Sequence, residues 1–69
     1  MAYKEFDSIE IPEAVPELGV EVGESGVIEA VYDGGRMLSV GVPRDDGTSV
    51  GFVGIEVAPE MRVVSFSRL

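Results

Sequence analysis

Carboxylates are the side chains in this sequence that could do chemistry, since its 69 residues include 13 Asp and Glu but no His and no Cys. Without His or Cys there is no imidazole base, thiol nucleophile or zinc finger. Catalysis by paired carboxylates needs surroundings that separate their pKa values, and no spacing here indicates such a pair. Asp45 and Asp46 precede Gly47, which is typical of a hairpin turn. We therefore predict no enzymatic activity, no catalytic residue, no metal ion and no cofactor.

Two other kinds of reactive site are also disfavoured. The serines have no histidine to activate them, and the single lysine, Lys4, lies near the start of the chain, so a Ser–Lys pair is not predicted. Gly34 and Gly35 form a glycine pair, but the lysine of a phosphate-binding loop does not follow them. The residue types therefore predict binding rather than catalysis.

The net charge of −8 lies entirely in the first half of the chain. Residues 1–35 hold one Lys and nine carboxylates, whereas residues 36–69 hold four Arg and four carboxylates. An acidic surface repels phosphate backbones, so we predict that nucleic acid is not a partner. The acidic half either serves solubility alone or attracts a basic protein partner.

Length and composition predict one small domain over residues 1–69, with residues 1–4 as a loose terminus. We see no signal peptide and no membrane span, and we predict a cytoplasmic protein. A domain of this size buries only about 60% of the surface that its unfolded chain exposes, and with no disulfide its remaining aids are good packing and oligomerisation.

Short apolar runs separated by Gly and Pro predict an all-β fold of about five antiparallel strands. The runs cover residues 5–11, 26–32, 36–43, 49–57 and 62–67. The loop between the first two contains prolines that oppose a helix, and its valines and leucine can pack underneath the sheet. Glycines are assigned to the turns: Gly23, Gly26, Gly34, Gly35 and Gly47.

The fourth run carries apolar residues at both alternating positions. Val50 and Phe52 share one parity, and Val53 and Ile55 share the other, so a regular strand cannot bury both pairs on one face. Either a bulge near one of the glycines in the run changes the face, or one pair is exposed. The sequence leaves both alternatives open, with the glycines favouring the bulge.

The segment Gly23-Glu24-Ser25-Gly26-Val27-Ile28 resembles a KOW motif, in which a tight turn leads into a barrel strand. The order of strands and turns is similar to an SH3-like barrel, and residues 7–64 resemble an uncharacterised family of small bacterial proteins. The residues that carry this second resemblance are Asp7, Pro16-Glu17-Leu18, Gly23, Gly26, Tyr32, Asp46-Gly47 and Pro59-Glu60. The resemblance implies a small SH3-like barrel and implies no activity. Unlike KOW domains that bind nucleic acid, this chain has glutamates rather than basic residues near the turn.

Surplus apolar residues in the strands predict an interface, because exposed apolar patches usually mark one. The candidate interface consists of Val27, Tyr32, Met37, Val53 and Val63. We predict a protein-interaction module that forms a homodimer or binds a protein partner. The alternative to exposure is that bulges turn the surplus inward. The alternative function is a KOW-like accessory that contacts RNA or a ribonucleoprotein through Arg36, Arg44 and Arg62.

Overall fold

The computed structural model describes residues 3–69, which form one five-stranded antiparallel sheet in the order β1-β2-β3-β4-β5. The predicted all-β class is confirmed. The strands are β1 (Ser8–Glu10), β2 (Ser25–Tyr32), β3 (Met37–Pro43), β4 (Ser49–Glu56) and β5 (Arg62–Arg68). Single turns of 3₁₀ helix cover Pro16–Leu18 and Asp33–Gly35.

Strands β2 to β5 begin and end within one residue of the predicted runs, whereas β1 is shorter than its run at both ends. Phe6 has a φ of 73°, which is incompatible with an extended strand. Pro12 follows Ile11 and cannot donate a hydrogen bond to a neighbouring strand. These two residues limit β1 to three residues. Of the terminus predicted to be loose, Met1 and Ala2 lie outside the described residues, and Tyr3 packs against the core.

The sheet is not closed, so the predicted barrel is not confirmed. Each strand pairs only with its neighbours in sequence, and within residues 3–69 no ladder joins β1 to β5. The loop between β1 and β2 lies beside β5 instead. The Glu13 Oε1 atom accepts a hydrogen bond from the Val63 amide at 2.7 Å, and the Arg68 guanidinium donates one to the Glu17 carbonyl. The contact between this loop and β5 is therefore made by side chains rather than by a strand ladder.

The core lies on one face of the sheet and is closed by the β1–β2 loop. Val15 and Leu18 are buried, as predicted for this loop, and so is Val20. The side chain of Val22 is 66% exposed, so the prediction that it packs underneath the sheet is wrong. The buried core residues are Ile9, Ile11, Val15, Leu18, Val20, Ile28, Leu38, Val40, Val42, Val53 and Ile55.

A bulge at the start of β4 explains how apolar residues at both alternating positions of this strand can reach the core. Pro43 pairs with Ser49 and Gly41 pairs with Phe52, which leaves one more residue on β4 than on β3. The bulge predicted near a glycine of this run is thus confirmed, and Gly51, with a φ of 148°, lies within it. Its consequence is that Val50 and Val53 both pack towards the core.

Two of the valines predicted to face outwards are placed differently by the structure. The side chain of Val53 is 0% exposed, so its predicted exposure is wrong. Val63 of β5 is half-buried and packs against the core, since it lies opposite Ile55 of β4. After its bulge, β4 directs Val53 and Ile55 inwards, and a second bulge, in which Val64 is the extra residue of β5, sets Val63 opposite Ile55.

The predicted turn glycines divide into two groups. Gly23, Gly34, Gly35 and Gly47 have positive φ angles, which suit turns. Gly26 differs from the prediction because it is a buried residue within β2. A Cβ atom at Gly26 would overlap a methyl group of Val40, so this glycine permits close packing rather than a turn.

Candidate interaction surfaces

The structure brings three of the five predicted interface residues together on the sheet face opposite the core. Val27 lies opposite Gly41, and Tyr32 lies opposite Met37, each as a cross-strand pair of β2 and β3. The side chain of Tyr32 is 57% exposed. We call this surface the outer face. It comprises Val27, Ala30, Tyr32, Met37, Ser39, Gly41, Phe52, Gly54, Ser65 and Ser67.

A shallow depression of about 250 Å³ lies in the outer face. Its large side chains include Tyr32, Met37, Phe52 and Phe66, and small residues of β3, β4 and β5 lie between them. Gly54 matters here, because a Cβ atom at this position would overlap the Ser65 hydroxyl. Among residues 3–69, no charged side chain lines the depression. The centre of the outer face is thus uncharged, with aromatic rings and one thioether for contact.

Acidic side chains border the outer face. The Glu29 carboxylate lies over Gly41, with Oε2 2.9 Å from the position that a Cβ atom there would occupy. Glu56 lies in register with Met37 on one side and with Arg62 on the other. Any partner on this face therefore meets an apolar centre and a partly acidic rim.

A second surface, which the sequence analysis did not assign, lies between the β1–β2 loop and β5. We call it the seam groove, and its volume is about 500 Å³. Its apolar side chains include Val64 and Phe66, which are 46% and 43% exposed. The residues that line it are Glu13, Ala14, Val15, Glu17, Val63, Val64, Ser65 and Phe66. The apolar surplus of the last strand was the signal in the sequence, but nothing local indicated that the loop lies beside that strand.

Arg44 is the basic residue with the best-defined contacts. Its Nη1 atom forms an ion pair with Glu24 Oε1 at 2.5 Å, and Nη2 donates to the Gly19 carbonyl at 2.9 Å. The Glu21 amide and the Arg44 guanidinium hold the pKa of the Glu24 carboxyl below its ordinary value. Arg44 therefore ties the hairpin between β3 and β4 to the β1–β2 loop.

The three arginines named for the RNA alternative do not lie together. Arg36 precedes β3 and Arg44 follows it, so the seven residues of that strand separate them. Extended chain rises about 3.3 Å per residue, which places the two arginines more than about 20 Å apart along the sheet. Arg62 pairs with Glu56 at the end of the sheet near Arg36. The structure thus assembles no single basic face from these three residues.

The carboxylates do not gather into a metal-binding cluster within residues 3–69. Asp46 accepts hydrogen bonds from the Thr48 hydroxyl at 2.6 Å and the Thr48 amide at 3.0 Å, and both lower the pKa of its carboxyl. This is the hairpin turn expected from the sequence. In the same part of the chain, no helix has the length and apolar character needed to cross a bilayer.

A scan against protein-family models found no match to this chain, and searches of curated proteins and of solved structures found none either. The resemblances to the SH3-like barrel, the KOW motif and the bacterial family therefore stay predictions.

Proposed function

We propose that this protein is a self-associating interaction module, and that two copies dimerise through their outer faces. The observation that carries the proposal is the uncharged, apolar centre of that face in a chain of net charge −8. Apolar patches rimmed by polar residues are typical of interfaces. Tyr32 and Met37 are also of the residue types enriched in interfaces.

The shape of the outer face supports a second sheet as its partner. Two sheets pack face to face about 10 Å apart, with strand directions within about 30° of each other. The small residues at the centre, Ser39 and Gly54 among them, leave room for large side chains of a facing copy. In a two-fold dimer the same patch is used by both copies, so Tyr32 and Phe52 of each would lie over the small residues of the other.

Electrostatics give this dimer a characteristic salt dependence. Two copies of net charge −8 repel each other, and the acidic rim of the outer face brings Glu29 of each copy near the interface. Salt screens repulsion between exposed charges, with a Debye length near 10 Å at 0.1 M. The dimer is therefore expected to become tighter as salt rises. A basic partner on the same face would show the opposite trend.

The test is the solution mass measured by sedimentation equilibrium over a wide range of protein and salt concentrations. We expect a monomer–dimer equilibrium that tightens with salt. Met37→Lys places a charge in the centre of the outer face and should weaken the dimer at least about tenfold, because an unpaired charge is costly to bury. The matched control is Val22→Lys, which makes the same change in charge at a residue that is 66% exposed. A monomer at every concentration, or equal effects of the two variants, would contradict the proposal.

A further inference from the structure

Strand β5 is an edge strand, and its outer backbone groups face the seam groove. The Leu69 amide donates to the Val50 carbonyl at 3.4 Å, which places the backbone groups of Leu69 on the β4 side. Backbone groups of an antiparallel strand alternate from one side to the other. Phe66 and Arg68 therefore direct their backbone N–H and C=O groups away from β4. An edge with such free groups is a template for pairing with another chain.

The seam groove leaves this edge accessible between two fixed points. At one end the Glu13 carboxylate accepts a hydrogen bond from the Val63 amide, and at the other end the Arg68 guanidinium donates one to the Glu17 carbonyl. Between them, Val64 and Phe66 expose nearly half of their side chains. The volume of about 500 Å³ is within the range of peptide and ligand sites. The loop holds the groove open because its own contacts with β5 use side chains at the ends.

The charge of the groove indicates what kind of chain would bind there. Glu13 and Glu17 line it, and the Arg68 guanidinium lies at one end, where it donates to the Glu17 carbonyl. The whole chain carries a net charge of −8, so a second copy would be repelled, whereas a basic segment would be attracted. Val64 and Phe66 of β5 are exposed apolar residues, so a partner that covers them is expected to carry apolar side chains as well.

We propose that the seam groove binds an extended, basic segment of another protein, which pairs with β5 as a sixth strand. Strand addition of this kind takes its affinity from main-chain hydrogen bonds and its specificity from alternate side chains. A segment that alternates apolar and basic residues would set its apolar side chains against Val64 and Phe66 and its basic ones near Glu13 and Glu17. The seam groove and the depression in the outer face share Ser65 and Phe66 of β5, whereas Tyr32 and Met37 line the depression and not the groove.

The test uses an acetylated, amidated hexapeptide of alternating Lys and Val, titrated into the isotope-labelled protein. We expect saturable amide shifts centred on Val64, Phe66 and Arg68, slower hydrogen exchange at Phe66 and Arg68, and binding that weakens as salt rises. The matched peptide of alternating Glu and Val should not bind. No saturation by about 2 mM peptide, or shifts centred on Tyr32 and Met37, would overturn the proposal.

Two substitutions at one residue separate the main-chain hydrogen bond from the side chain. Phe66→Ala removes the ring, and Phe66→Pro removes both the ring and the outward N–H. An exposed strand edge tolerates proline, because the lost N–H has no partner within the sheet. We expect about fivefold weaker binding for the proline variant than for the alanine variant, since one hydrogen bond is lost. Should the proline variant fail to fold, peptides N-methylated at alternate residues make the same comparison. Equal affinities in either comparison would refute strand addition.

A third substitution tests the charge preference. Glu13→Gln keeps an oxygen that can accept the Val63 hydrogen bond but removes the negative charge. It should weaken binding of the Lys-Val peptide by about two- to fivefold, as expected for loss of one exposed ion pair. Glu21→Gln makes the same change in charge outside the groove and should leave the affinity unchanged. If both variants weaken binding equally, the net charge rather than the groove selects the peptide.

Discussion

Gly26 is the residue at which one added methyl group should most clearly test the packing of this sheet. It lies in β2 opposite Ile9 of β1, and β3 is the other neighbour of β2 in the sheet. A Cβ atom there would overlap a methyl group of Val40, and it would lie 3.1 Å from the Gly41 carbonyl and 3.2 Å from Ile11 Cδ1. Val40 and Ile11 are completely buried, and the carbonyl belongs to the β3 backbone. None of the three neighbours can move away cheaply.

The expected cost of Gly26→Ala follows from those contacts. Overpacking a core costs about 1–3 kcal/mol, and the lower chain entropy of alanine in the unfolded state offsets less than about 1 kcal/mol of it. A net loss of about 2 kcal/mol should lower the melting temperature by about 8–16 °C in a domain this small. The whole free energy of unfolding is about 3–10 kcal/mol for 69 residues, so the effect is large.

Urea unfolding followed by circular dichroism measures this free energy, and Gly34→Ala serves as the matched control. Apart from Gly34 and its two chain neighbours, no heavy atom of residues 3–69 lies within 4 Å of a Cβ at Gly34, whose φ is 65°. The cost of this substitution is therefore backbone strain of about 1 kcal/mol. Val40→Ala should partly rescue Gly26→Ala, with a coupling of about 1 kcal/mol in a double-mutant cycle. The reasoning fails if Gly26→Ala costs less than about 0.5 kcal/mol, or if the two substitutions are additive.

Two further predictions concern the Arg44 ion pair and the interior of β4. Arg44→Gln should raise the pKa of the Glu24 carboxyl while leaving it below 4.5, because the Glu21 amide still donates to it, and carboxyl NMR titration measures this. Since folding lowers the pKa values of Glu24 and Asp46, their contribution to stability is present above the ordinary values and is lost as pH falls through the lowered ones. A wild-type stability that does not fall below about pH 4 would contradict this. Val53→Ala should cost about 2 kcal/mol by urea unfolding, whereas Val22→Ala at an exposed position should stay within about 0.5 kcal/mol.

The strands could be predicted because their signals are local. Gly and Pro mark the ends of β2 to β5, and alternation within β3 identifies Leu38 and Val40 as the buried pair. The bulge in β4 could also be predicted. Apolar residues occupy both alternating positions around Gly51, and a bulge is needed to turn both sets to one face. The sequence did not show which valines the bulge would bury, because alternation along a strand shows only that the two sets of side chains point to opposite faces. Val53 was therefore placed outside, although it packs in the core, opposite Val40 of β3.

The seam groove could not be predicted because its contacts are distant in sequence. Glu13 and Val63 are 50 positions apart, and neither has a neighbour that indicates the other. A closed barrel was expected from the number of strands, but closure also needs strands long enough to pair at the seam. Here β1 ends after three residues, since Pro12 stops it, and the loop that follows contacts β5 through a carboxylate and a carbonyl. The shortness of β1 and the accessible edge of β5 thus have one cause.

That cause also explains why the two proposed surfaces should respond to salt in opposite directions. The residues that keep the seam open belong to the acidic first half of the chain, and they place Glu13 and Glu17 at the edge of β5. The outer face takes residues from β2, β3, β4 and β5, and its central positions are uncharged. Screening should therefore weaken a basic segment in the groove while strengthening a dimer of acidic chains. Measuring both affinities over one series of salt concentrations tests the assignment of charge to each surface, because parallel trends would show that the same charges govern both.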